Sequence, residues 1–73
     1  MQDWNTIIIF TYPHEAYIAR TKLESEGIEV RLLDEFTVQV HNFYSNAVGG
    51  VKLQVYEKDI VTAKKILTEG GYL

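Results

Sequence analysis

The side chains able to do chemistry gather in one stretch, Asp34 through Gly50, which reads DEFTVQVHNFYSNAVGG. It supplies two carboxyls (Asp34, Glu35), an imidazole (His41), a phenol (Tyr44), a hydroxyl (Ser45), the amides of Asn42 and Asn46, and the pair Gly49-Gly50. A metal site needs clustered histidine and carboxylate ligands. Asp34, Glu35 and His41 could converge on one. However, His14 and His41 lie far apart and neither has an H-x-x-x-H or H-x-H companion. A surface imidazole beside a solvated acidic pair is the simpler reading. A nucleophilic site fares no better. Ser25 and Ser45 are the only serines, and Ser45 lacks a G-x-S-x-G setting. No G-x-x-x-x-G-K or G-x-G-x-x-G precedes a helix, and Gly49-Gly50 leads into a strand, so no helix N-terminus is offered to a phosphate there. The expectation is a protein that binds rather than catalyses, with no enzymatic activity, no cofactor and no metal.

Composition narrows what it binds. Ten acidic against seven basic side chains give a net charge of −3. The basic residues are scattered, with only Lys64 and Lys65 adjacent. A nucleic-acid partner is not expected, because phosphate binding needs a concentrated positive face. The longest apolar run, Ile7-Ile8-Ile9-Phe10, is far too short for a membrane span, and the N-terminus has no basic region of a signal peptide. The default compartment is therefore the cytoplasm. There is no cysteine, which excludes disulfides and thiolate metal sites. A chain of 73 residues is one domain, 1–73, with a marginal core.

The elements that must position the 34–50 stretch are readable on either side of it. Trp4 to Thr11 is β-branched and aromatic, as a strand requires, and its apolar residues fall on both parities, which predicts that both faces are covered. Pro13 fits the first turn of a helix, and Glu15 follows where the helix dipole favours an acid. Ala16, Ala19, Leu23 and the stem of Arg20 make its inward stripe; Arg20–Glu24 and Lys22–Glu26 are paired four apart on the wet side. Gly27 suits the left-handed residue after the helix, with Ile28 and Leu23 making the apolar contact of a Schellman ending. Ile28 to Asp34 alternates, with Ile28, Val30 and Leu32 inward. Val51 to Tyr56 repeats the pattern with Val51, Leu53 and Val55 inward. Glu57 and Asp59 open a second helix that buries Ile60, Ala63, Ile66 and Leu67 and stops at Gly70-Gly71.

The order β-α-β-β-α predicts an α+β, ferredoxin-like fold. Two helices cover one face of a mainly antiparallel sheet, and the first and third strands are neighbours. Only Tyr72 and Leu73 remain for a final strand, which is truncated or absent. The first strand then has an edge that needs cover. Tyr72-Leu73, the long connection and a second subunit are the three candidates, and homo-oligomerisation is the preferred one.

The connection itself supports two readings, since structureless connections this long are unusual and are often functional. Phe36, Phe43 and Tyr44 can shield the open sheet face around Ile8 or Phe10, Leu33 and Tyr56. Alternatively the loop contacts a partner or a ligand, and the expected contact residues are Asp34, Glu35, His41, Tyr44, Ser45, Asn46, Gly49 and Gly50.

The string DEFTVQVHNFYSNAVGGVKLQV, with P-x-x-A at Pro13–Ala16 and L-x-x-x-G-I at Leu23–Ile28, resembles a small bacterial family of unknown function described as putative prokaryotic signal-transducing proteins. The likeness covers about residues 5 to 68, and YSNAVGGVKLQV at 44–55 is its most specific part. The resemblance implies a grouping with the nitrogen-regulatory PII (GlnB-like) proteins. Those are ferredoxin-like trimers that bind effectors and contact partners through the connection between their second and third strands. This chain is shorter and has no counterpart of their basic nucleotide-phosphate contacts, and the family offers no catalytic residues to carry over. The expected function is thus a regulatory module contacting an unknown protein partner through 34–50. The alternative is a small-effector sensor with a pocket lined by Asp34, Tyr44, Asn46 and Gly50.

Overall fold

The computed structural model describes residues 3–34 and 50–73. The chain runs β1 (Trp4–Phe10), α1 (Pro13–Ser25), β2 (Val30–Asp34), β3 (Val51–Tyr56), a 3₁₀ turn (Glu57–Asp59) and α2 (Ile60–Glu69). The strands form one sheet in the order β1-β3-β2, and both pairings are antiparallel. This is the expected α+β, β-α-β-β-α arrangement, with the first and third strands adjacent. Among the described residues no helix is long and apolar enough to cross a membrane.

Strict alternation makes β3 the spine. Val51, Leu53 and Val55 are buried, and Lys52, Gln54 and Tyr56 between them are half-buried on the other face. The buried face meets Ala16, Ala19 and Leu23 of α1 and Ala63 and Leu67 of α2, together with Phe10 and Ile28. Both helices therefore lie on one side of the sheet. Alanines at the closest points let the helix backbones approach while Leu23, Leu53 and Leu67 fill the volume between them.

Both helices end alike. Gly27 and Gly71 have φ of +85° and +86°. The Ile28 N–H donates to the Leu23 carbonyl and the Gly27 N–H to Glu24; Tyr72 and Gly71 repeat this onto Leu67 and Thr68. These are Schellman endings, as the sequence predicts at Gly27. The second one turns the chain so that Tyr72 meets Phe10 edge-to-face, 5.7 Å between centroids. The helix starts carry no side-chain cap; α1 instead has Pro13 at its first position.

β1 departs from expectation. Its register against β3 shifts between Thr6 and Ile8, leaving Ile7 as an extra residue. Ile7 and Ile8 both pack toward the core, while Ile9 is 59% exposed. The apolar residues on both parities thus reflect a bulge, not a strand covered on both faces. Consequently the open face carries Ile9, and not Ile8 or Phe10, beside Leu33 and Tyr56.

Candidate functional site

The helix-free face of the sheet is assembled by parity. Antiparallel pairing sets Trp4 opposite Tyr56, Thr6 opposite Gln54 and Ile9 opposite Lys52. On the other side of β3, Arg31 pairs with Gln54 and Leu33 with Lys52. The three rows run from an aromatic end to an apolar one. Trp4 and Tyr56 stack with centroids 4.3 Å apart and rings 23° from parallel. The Arg31 guanidinium lies 5.9 Å from the Trp4 ring centroid, so β1 and β2 reach toward each other over the central strand. Beneath them Gln54 Nε2 donates to Thr6 Oγ1 at 2.9 Å. Gln54 Oε1 is buried with no hydrogen-bond partner, which carries a desolvation cost. At the far end Ile9 and Leu33 stay exposed on either side of Lys52.

The 34–50 connection leaves and returns at this apolar end. Asp34 is the last residue of β2 and its backbone pairs with Val51. Gly50 is buried, and a Cβ there would lie 2.8 Å from Ile9 Cγ2 and 3.2 Å from the Phe10 carbonyl oxygen. A close backbone approach between the strands accounts for this glycine. Of the expected contact residues, Glu35, His41, Tyr44, Ser45, Asn46 and Gly49 lie outside the described residues.

The remaining reactive groups are engaged locally. Ser25 Oγ donates to the Lys22 carbonyl at the end of α1. His14, at the start of α1, is exposed and stacks on Tyr12 with centroids 5.8 Å apart. Among the described residues no three of His, Cys, Asp or Glu come together as metal ligands. The open face presents π surfaces, one guanidinium in contact with them, and exposed aliphatic groups. It can bind by stacking and apolar contact, and among the described residues it places no nucleophile beside a base.

Alternation places Arg31 and Leu33 of the second strand and Tyr56 of the third on this face, as found, but it misses Trp4 and Thr6. Antiparallel pairing sets the ends of these strands opposite each other, but plain alternation puts Trp4 on the Ile8 and Phe10 side; only the bulge brings its ring to Tyr56.

A family model described as putative prokaryotic signal transducing protein matches residues 4–71. The chain belongs to that family. The match spans every described strand and helix, including both the aromatic row and the Gly50 contact. No curated protein and no solved structure matches the chain significantly. The family's description concerns signalling and names no reaction.

Proposed function

We propose that this protein is a non-enzymatic signal-transducing module that binds a partner protein through the 34–50 connection and the open sheet face at its base. The observation that carries the reading is the Trp4–Tyr56–Arg31 cluster. Aromatic rings and arginine are the groups that dominate protein–protein contacts, and here they sit on the face that no helix covers. The exposed Ile9 and Leu33 continue that surface to the point where the connection departs. The cytoplasm is the compartment in which we place this activity, and the PII-like grouping implied by the resemblance belongs to the same proposal.

A sensor pocket lined by Asp34, Tyr44, Asn46 and Gly50 has weaker support. Gly50 is packed against β1, which leaves its backbone little surface for a ligand.

The test is affinity capture with the full chain, with residues 36–48 deleted, and with Arg31→Ala. Both variants should lose the same binding proteins. A partner set that survives both changes refutes the reading. A thermal-shift screen against nucleotides, amino acids and 2-oxo acids addresses the sensor alternative, because a bound ligand raises the melting temperature in proportion to its occupancy.

A further inference from the structure

We propose that two copies of this chain pair through the outer edges of β1, antiparallel about a two-fold axis, to form a continuous sheet β2-β3-β1-β1-β3-β2. Among the described residues β1 has β3 on one side and no strand on the other. At seven residues it is the longest strand of the sheet. Exposed edges are ordinarily blunted by lysine, proline, an inward-pointing charge or a bulge that twists the edge away. WNTIIIF has only the bulge at Ile7 and no lysine, proline or charge, whereas β2 carries Arg31 and Asp34 and β3 carries Lys52.

The occupant is a second copy because β1 is complementary to itself in one register. Opposed residues on paired strands must share a face. The bulge leaves Trp4, Thr6 and Ile9 on the open face; Asn5, Ile7, Ile8 and Phe10 lie on the helix side. Pairing about the midpoint of Ile7 and Ile8 sets Thr6 opposite Ile9, Ile7 opposite Ile8 and Asn5 opposite Phe10, each on its own face. A slip of one residue in either direction sets Phe10 against Trp4 or against Thr6, on opposite faces. In the matched register no charge of β1 meets another, and Asp3 falls opposite Tyr12 rather than a second acid. The bulges of the two copies meet at the axis, so both strands bend equally. The pairing is isologous and closes at two copies.

Analytical ultracentrifugation over a concentration series should show a monomer–dimer equilibrium for the unmodified chain. Thr6 and Ile9 are both exposed; Thr6→Lys removes the acceptor of Gln54 Nε2 in both variants alike, and circular dichroism checks that each keeps the fold. Thr6→Lys with Ile9→Lys places lysine against lysine twice across the axis. Thr6→Lys with Ile9→Glu places lysine against glutamate twice. The dimer of the second variant should be about tenfold tighter than that of the first, or more. A chain that sediments as a monomer throughout, or variants with equal dissociation constants, overturns the proposal.

Discussion

Replacing Gly50 with alanine tests whether the glycine at the start of β3 exists for close packing. The added methyl would lie 2.8 Å from Ile9 Cγ2 and 3.2 Å from the Phe10 carbonyl oxygen. Phe10 pairs with Val51, so its carbonyl retreats only by loosening the β1–β3 ladder. Ile9 Cγ2 sits on a β-branched carbon whose rotation is restricted. Overpacking of this kind costs roughly 1–3 kcal/mol. Removing a glycine also stiffens the unfolded chain, which returns about 0.4–1 kcal/mol. The net expectation is a loss of about 1–2 kcal/mol, or roughly 4–16 °C in melting temperature for a domain this small. Thermal and urea denaturation followed by circular dichroism measure it. Ile9→Ala provides the control, because Ile9 is 59% exposed and its own truncation removes little burial. In that background Gly50→Ala should cost less, since one of the two close contacts is gone and only the carbonyl remains. If Gly50→Ala melts with the unmodified chain, or costs the same in both backgrounds, the close approach is not why glycine stands here.

Two further stability measurements follow from the fold. Gly27→Ala should destabilise by about 1 kcal/mol although nothing lies within 4 Å of the new methyl, because the cost is the left-handed backbone at φ +85°; Gly27→Asn should cost less, and equal melting of all three chains would refute the cap. Trp4→Leu keeps most of the apolar area but loses the stack on Tyr56, and a double-mutant cycle with Tyr56→Leu should give a coupling of roughly 0.5–1.5 kcal/mol, with zero coupling refuting a stabilising role for the pair.

The elements on either side of the 34–50 connection were legible because each carries a local signal that tertiary packing does not override. Alternation in β3 named its three buried residues without error. Gly27 and Gly71 marked helix ends because only a residue tolerant of positive φ closes both hydrogen bonds of a Schellman turn. The start of α2 was blurred: Glu57 and Asp59 fall in a 3₁₀ turn before the helix, and acidic residues favour either kind of helix start. The open-face cluster was illegible for a different reason. Trp4, Arg31 and Tyr56 come from three strands, and no spacing within one segment records a contact made across a sheet.

The bulge at Ile7 also decides which residues of β1 reach the open face. A period of two assigns Trp4 and Thr6 the same side as Ile8 and Phe10, which would bury an aromatic ring and a hydroxyl under α2. One extra residue reverses the parity half-way along the strand. Ile8 and Phe10 can then enter the core while Trp4 stacks on Tyr56 and Thr6 binds Gln54 on the opposite face. Three isoleucines in a row suit this shift, because whichever of them is displaced still packs as an apolar, β-branched side chain. Substituting Ile7 with a polar residue should therefore harm the core and the Trp4–Tyr56 stack together, although Ile7 touches the helix side alone.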